Sequence, residues 1–318
     1  MRQTPAVDLV PVVDIASPDA TSREALDTAC RDHGFFLLSG HGLDELIAHT
    51  WAETARFFDA PRSVRVAIER DAVNPLGWFD RELTKRKRDA KEVFDYIDPS
   101  NDTRDRFNRW PELEGFHESM TEFFDAFSDL TNRTVSLIHD TLGLGDDSRT
   151  KMVGDPASSA VRLNHYPIGD PVPADERDGL PDLGETALGY HTDPGTITLL
   201  LQDDVGGLQA DSAAHGWIDV VPEPGTIVVN LADMMQVWTN DQYRAAVHRV
   251  VPMTKRRRFS IPYFSNPPRD AIVAPLPELS AETVRYGDVG WAAFMKARSD
   301  DNFTDLGTAD TQISDFRI

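Results

Sequence analysis

Tyr190-His191-Thr192-Asp193-Pro194-Gly195-Thr196-Ile197-Thr198 is the stretch on which the fold turns. His191 and Asp193 are two residues apart in a segment of strand character. Both side chains therefore leave one face, with Cα atoms about 6.5–7 Å apart. Two side chains so placed can grip one face of a metal ion, and a distant histidine, His248 in Val247-His248-Arg249-Val250, can close the set. Two histidines and one carboxylate, with open positions opposite, suit non-haem Fe(II) and oxygen chemistry. Ten residues beyond His248, Arg258 and Ser260 again share a strand face. A guanidinium fork beside a hydroxyl is a receptor for a carboxylate. A metal triad with a carboxylate anchor points to an oxygenase that consumes an organic-acid cosubstrate.

Each part alone carries little. His-x-Asp arises often by chance, and a lone His248 would be read as a structural histidine. The combination is sharper: His-x-Asp, a histidine 55 residues after Asp193, then Arg-x-Ser. Zinc could occupy two histidines and a carboxylate as readily as iron. A zinc hydrolase, however, has no general need for a fork dedicated to a second carboxylate, and no His-Glu-x-x-His motif supplies a base. Arg258 could instead be surface charge within the basic run Lys255–Arg258. His33, His41, His49, His117, His139, His165 and His215 have no partner at ligand spacing and are assigned to structure or surface. On a strand, His165 would point away from its neighbours Asn164 and Tyr166.

Further from the site, the 318 residues carry a formal charge of −21, which excludes a dominant basic face and so argues against nucleic acid. A hydrophobic content of 40%, with 16 Phe and 6 Trp, is ample for a buried core. The one cysteine, Cys30, rules out an intramolecular disulfide and fits a reducing compartment. Met1–Asp14 holds one Arg and no long apolar run, and no run approaches a membrane span. The expectation is a cytoplasmic protein, monomeric or weakly dimeric, that acts on a small molecule without membrane or nucleic acid.

The first half of the chain reads as helices around short strands. Leu9–Asp14 is a strand candidate. Thr21-Ser22-Arg23-Glu24 matches a capping box, opening a helical stripe that stops at Gly34. Phe35–Leu38 reads as a strand and Gly40-His41-Gly42 as a tight turn. Leu43, Leu46, Ile47, Trp51, Phe57 and Phe58 fall at helical spacing before Pro61, and a longer helix starts near Phe116. Its Phe and Met stripe is read as core. Lys85-Arg86-Lys87-Arg88, the one basic cluster, reads as an exposed loop. Past Gly143 come short runs separated by Gly, Pro and Asp: Ala160–Tyr166, Ile197–Leu201, Ile218–Val221, Ile227–Asn230, Ala246–Val251 and Phe259–Phe264. Many short strands at close spacing predict a sandwich or jelly roll. Pro167–Gly184 reads as a long surface loop. No linker separates the halves, so one domain is expected.

These residues resemble the isopenicillin-N-synthase-like group of Fe(II)- and 2-oxoglutarate-dependent dioxygenases, along nearly the whole chain. Ala29-Cys30-Arg31-Asp32-His33-Gly34-Phe35-Phe36 and Gly40-His41-Gly42 look like the family's N-terminal helix and strand. Lys91-Glu92-Val93-Phe94-Asp95 looks like its central loop motif, and Asn164-His165-Tyr166-Pro167 like its Asn-x-Tyr-Pro strand. Gly206-Gly207-Leu208-Gln209, Asn230-Leu231-Ala232-Asp233, Trp238-Thr239-Asn240 and Phe264-Ser265-Asn266-Pro267 continue in the family's order. Ala232 stands where many relatives have Gly. The stretch from His191 to Gln209 is especially like plant flavanone 3-hydroxylases, a likeness of shared metal and cosubstrate strands.

The resemblance implies a mixed α and β protein, mainly β, with a double-stranded β-helix (jelly-roll) core wrapped by N-terminal helices. Residues 1–150 would be the helical and strand region, 155–270 the core with both sites, and 271–318 a C-terminal extension. It makes His191, Asp193 and His248 the iron ligands. Arg258 and Ser260 become the anchor for the distal carboxylate of 2-oxoglutarate, supported by Tyr166 and Asn164. The implied reaction consumes O2, releases succinate and CO2, and hydroxylates, desaturates or cyclises a substrate. Two other readings remain open on these residues. One is an Fe(II) oxidase of the isopenicillin N synthase type, in which Arg258 grips the substrate's own carboxylate. The other is a noncatalytic jelly-roll binding protein that retains a metal.

Overall fold

The structure is a computed structural model that describes residues 9–84, 86–280, 282–299 and 311–318. In chain order, β1 is Val12–Asp14, α1 Ala20–Asp32, β2 Phe35–Ser39, α2 Asp44–Asp59 and α3 Arg62–Val66. Then come β3 (Gly77–Phe79), β4 (Leu83–Thr84), β5 (Lys87–Arg88), β6 (Glu92–Ile97) and α4 (Asp102–Asp105). The long α5 (Phe116–Thr141) and α6 (Asp146–Met152) precede the second half. There the strands are β7 (Ala160–Tyr166), β8 (Leu188–His191), β9 (Ile197–Gln202), β10 (Leu208–Ser212), β11 (Gly216–Asp219) and β12 (Ile227–Leu231). After α7 (Asp233–Trp238) follow β13 (His248–Val250), β14 (Arg258–Ser265), β15 (Ile272–Val273), β16 (Val289–Gly290) and α8 (Trp291–Ser299).

Two sheets face each other. The larger has eight strands in the order β1-β2-β12-β9-β14-β7-β6-β3, and the smaller four in the order β11-β10-β13-β8. This is a jelly roll with two N-terminal strands, β3 and β6, extending one edge and β1-β2 the other. Helix makes up 33% and strand 24% of the described residues; the strands form the core that carries the site, and the helices pack outside it. Period-two alternation divides each strand. On β14, Arg258, Ser260, Pro262 and Phe264 face the interior cavity, while Ile261 and Tyr263 enter the core behind the sheet. α5 covers that core from outside, lying on β9 and β14. Its buried stripe is Met120, Phe123, Phe124, Phe127, Leu130 and Ile138, each worth about 1.5–3 kcal/mol when fully buried.

The N-terminal boundary of α1 differs from the sequence expectation. The cap is Asp19, whose carboxylate accepts from the Ser22 amide at 2.7 Å, so no box forms on Thr21. A carboxylate at that position also meets the positive end of the helix, which favours it over the hydroxyl. The helix stops, as expected, at Gly34, where φ is +71° and a Cβ would lie 2.3 Å from the Arg244 carbonyl oxygen. The Lys91–Asp95 motif is mostly strand rather than loop. Glu92–Ile97 pairs with β7 from Glu92↔His165 to Ile97↔Ala160 and is largely buried. The basic cluster is in part the exposed turn expected, with Arg86 and Lys87 exposed, but it belongs to a two-stranded hairpin and its last residue is buried. Lys85 lies outside the described residues, but Lys87–Arg88 pairs with Leu83–Thr84. Arg88 is buried and makes a bidentate pair with Asp170 at 2.8–2.9 Å. Burial there is tolerable because the fork is matched, and it pins the Pro167–Gly184 loop to the hairpin.

Candidate metal and cosubstrate site

β8 ends at His191, and Asp193 lies in the turn beyond it, two residues before Gly195. The same-face expectation thus holds in outcome but through a turn rather than one continuous strand. That turn is tight. A Cβ on Gly195 would lie 2.4 Å from Asn266 Oδ1 and from the Ser265 carbonyl oxygen, so only glycine lets the chain close on the end of β14. His248 opens β13 and pairs across the small sheet with His191. One ligand atom from each of His191, Asp193 and His248 falls within 4.8 Å of the others. Nε2 of His191 and of His248 are 3.6 and 3.8 Å from the same oxygen, Asp193 Oδ1.

Each ligand is aimed by a second contact. His191 Nδ1 is 2.8 Å from the Gly189 carbonyl, and His248 Nδ1 is 3.0 Å from that of Ala246. Donation from Nδ1 leaves the Nε2 lone pairs for a metal. Thr198 Oγ donates to Asp193 Oδ2 at 2.5 Å and Asn230 Nδ2 does so at 2.8 Å, which leaves Oδ1 free. Thr198 and Asn230 are cross-strand partners on β9 and β12. Sequence reasoning assigned them no role, although each is a polar residue set in an apolar strand, which was the available signal. Burial alone would raise the Asp193 carboxyl, but His248, His191 and Thr198 override it and hold it well below the usual carboxylate range. Burial, and then the neighbouring His191, push His248 down to about 4. At neutral pH the set is therefore one carboxylate and a neutral imidazole at His248, the forms that metal ligation requires.

The four residues expected to hold a cosubstrate form two cross-strand pairs, Arg258 with Tyr166 and Ser260 with Asn164. Arg258 is 1% exposed, which removes the surface-charge reading. Its guanidinium lies over the Tyr166 ring, 4.9 Å from the centroid. None of its three nitrogens has a hydrogen-bond partner among the described residues. A buried, unpaired guanidinium is costly, and a planar anion is what satisfies it. Asn164 Nδ2 reaches Ser260 Oγ at 3.4 Å, and Asn164 Oδ1 is buried without a partner. The donor set thus fits a metal of the non-haem iron type beside a carboxylate ligand. His165 points away from the cavity, as expected, and pairs with Glu92 at 2.7 Å.

Both sets of residues line one cavity of about 970 Å³ between the sheets. One wall carries a buried charge cluster that sequence reasoning did not find. Glu82 meets Arg70 at 2.7 Å, Lys91 at 2.9 Å and both Arg162 Nη atoms at 2.9 Å. Asp95 meets Arg70 at 3.0 Å and Arg162 Nε at 2.6 Å. Burial would raise Glu82, but Arg162, Lys91 and Arg70 hold it well below its ordinary value. At the opposite side stands α8. Its Arg298 donates from Nη2 to the Thr192 carbonyl at 2.6 Å, between the first two metal-site residues, and from Nη1 to the Thr311 carbonyl at 3.2 Å.

A jelly roll whose mouth holds two histidines and an aspartate beside a buried, unmatched arginine defines the non-haem iron oxygenases that take a carboxylate cosubstrate. Comparison with known proteins agrees. Residues 157–267 match the 2OG-Fe(II) oxygenase superfamily, and residues 10–113 match the N-terminal region described as non-haem dioxygenase in morphine synthesis. The chain is 30% identical over 304 residues to gibberellin 2-beta-dioxygenase 2 of Arabidopsis thaliana, covering 91% of this chain and 84% of that one. It is 30% identical over 298 residues to a homoarginine-6-hydroxylase of Oryza sativa subsp. japonica, covering 86% and 89%. Among solved structures, JOX2 in complex with 2OG, Fe and JA superimposes with a TM-score of 0.78 at 26% identity, covering 90% of this chain and 83% of that one. A full-length Neurospora crassa enzyme with alpha-KG and 5-formyluracil gives 0.75 at 27%, covering 89% and 93%. The chain belongs to the 2-oxoglutarate- and Fe(II)-dependent oxygenase superfamily. It is an oxidoreductase whose cofactors are Fe(II) and 2-oxoglutarate.

Proposed function

We propose that His191, Asp193 and His248 hold the Fe(II), and that Arg258 and Ser260, with Tyr166 and Asn164, hold the distal carboxylate of 2-oxoglutarate. The whole chain works as one catalytic unit that hydroxylates, desaturates or cyclises a small organic molecule. Iron, when bound, supplies the oxygen activation coupled to decarboxylation of 2-oxoglutarate to succinate. The chain's own residues do the rest. Thr198 and Asn230 turn one oxygen of Asp193 toward the metal, and the Gly189 and Ala246 carbonyls fix the histidine tautomers. The sheets exclude water from around Arg258, which strengthens its attraction for a carboxylate. The buried, single cysteine supports a place in the reducing cytoplasm.

The observation that carries this reading is the Arg258 guanidinium, buried and without a hydrogen-bond partner among the described residues. It supports the cosubstrate role over the oxidase alternative because Ser260, Asn164 and Tyr166 sit around it as one compact receptor. The test is succinate release as a function of 2-oxoglutarate concentration, with a metabolite panel as substrate. Turnover with oxygen uptake but no succinate would favour the oxidase reading. Absence of both with every substrate tried would favour a binding protein.

A further inference from the structure

The larger sheet lays a row of residues across the cavity floor. Thr198 on β9, Phe264 on β14, Ala160 on β7 and Ile97 on β6 are successive cross-strand partners, and all four line the cavity. Three inter-strand steps make this row about 14 Å long. Thr198, at one end, holds the Asp193 carboxylate. At the other end the chain leaves β6 into α4, which carries Arg104. The loop after β14, whose end pairs with β7 in the middle of the row, carries Arg269. Both arginines also line the cavity.

The other cations named so far on this wall have partners or a role. Arg70, Lys91 and Arg162 are ion-paired with Glu82, Asp95 and Asp89. Arg298 is bound to the Thr192 carbonyl, and Arg258 belongs to the cosubstrate receptor. The side chains of Arg104 and Arg269 donate no hydrogen bond and form no ion pair among the described residues, and Arg104 Nε is buried without a partner. Arg104 does feel the carboxylate of Asp98 through space. Two unmatched arginines along the cavity, Arg104 half-buried and Arg269 exposed, are a local reversal of charge in a chain of net charge −21. Between them and the metal site the floor is apolar or small: Phe264, Ala160 and Ile97.

We propose that Arg104 and Arg269 bind a carboxylate on the substrate, and that the substrate is an organic acid with an apolar body. Its acid group lies on the order of 14 Å along the floor from the carbon presented at the metal site. This rests on the oxygenase reading of the same cavity and adds to it the substrate class. A guanidinium pair recognises a carboxylate by charge-assisted, bidentate hydrogen bonds. The apolar floor contributes by area and tolerates variation in the body.

The experiment titrates matched probes into the full-length enzyme loaded with Fe(II) and saturating 2-oxoglutarate without oxygen. The probes are decanoate, 4-phenylbutanoate and 2-naphthylacetate, each with its primary amide. The expected result is that at least one acid binds about ten- to a hundred-fold tighter than its amide, the range for one charged hydrogen-bonded pair. Arg104→Gln with Arg269→Gln should erase that preference at an unchanged thermal midpoint. Arg104→Glu with Arg269→Glu should turn it toward 4-phenylbutylamine. The proposal is overturned if no acid outbinds its amide. It is also overturned if the preference survives both double variants, or disappears only in Arg258→Ala, which would place the acid at the cosubstrate anchor. Failure of 2-oxoglutarate itself to bind, read beforehand in the same calorimeter, would instead count against the oxygenase reading.

Discussion

Asp193 combines three demands in one side chain: it is buried, ionised, and oriented by two donors that consume one of its oxygens. Asp193→Ala should abolish Fe(II) binding, and with it turnover, while leaving the fold intact, because the cores on both sides of the large sheet contain no metal-site residue. Iron analysis and circular dichroism of the purified variant check both halves. The same carboxylate fills the position at which a halide would have to bind. Products formed in chloride buffer should therefore show added oxygen or lost hydrogen by mass spectrometry, with no chlorinated main product. Arg258→Ala should raise the 2-oxoglutarate requirement about ten- to a hundred-fold, the equivalent of roughly 1.5–3 kcal/mol. Arg258→Lys should recover only part, since an ammonium lacks the planar fork. An unchanged 2-oxoglutarate curve in both variants would remove Arg258 from the cosubstrate site.

At the scale of elements, the site is a place where ends meet. The end of β8, the start of β13 and the turn that closes on the end of β14 meet at the metal site, and Arg258 stands further along the same cavity at the start of β14. α8 closes the far side, and Arg298 ties it to the turn that carries Asp193. Loss of such a supporting contact commonly weakens metal binding by about ten-fold or more. Arg298→Ala should therefore weaken Co(II) binding to the metal-free protein by about that factor. Retention of full affinity in the titration would make α8 a cover only. Gly34, which ends α1 and admits β2 to the sheet, offers a pure backbone test. Gly34→Ala should cost at least about 1–2 kcal/mol from the left-handed conformation alone, with the Arg244 carbonyl adding to it. Urea denaturation of the two proteins measures the difference.

For the whole molecule, acid is the informative variable. His248 takes its proton at about 4 when folded, against about 6.5 when unfolded. In metal-free protein its contribution to stability is therefore full above about pH 6.5 and lost as the pH falls toward 4, a decline of about 3 kcal/mol. Glu82 is depressed in the fold, so its contribution is present above the ordinary carboxylate value and fades as the pH falls below it. Urea midpoints between pH 7 and pH 3 should drop in two stages, and Fe(II), which binds only the unprotonated ligands, should raise the midpoint at pH 7 and make the first stage steeper. Glu82→Gln should cost about 3–5 kcal/mol, as breaking a buried ion cluster does, and should flatten the second stage.

What the amino-acid sequence determined by itself was whatever depends on short spacing and residue chemistry. The His-x-Asp pair, Arg-x-Ser on one face, the glycine stop of α1, and the helical stripes of α2 and α5 were all legible, because each is set by a period or a bond geometry within a few residues. Six short apolar runs were enough to expect a sandwich or jelly roll, and each overlaps one of its strands, although the bounds of five of the six moved by one or two residues. The tertiary structure alone decided the rest. Thr198 and Asn230 become supports for Asp193 only because β9 and β12 pair in that register. Glu92–Ile97 becomes a buried strand because β7 and β3 flank it. Glu82, Asp95, Arg70 and Arg162 are scattered from residue 70 to residue 162, and only folding makes them one ion cluster. The physical reason is common to all three: a polar group's partner is chosen by distance in space, and residues far apart along the chain are brought within that distance only when the sheets close.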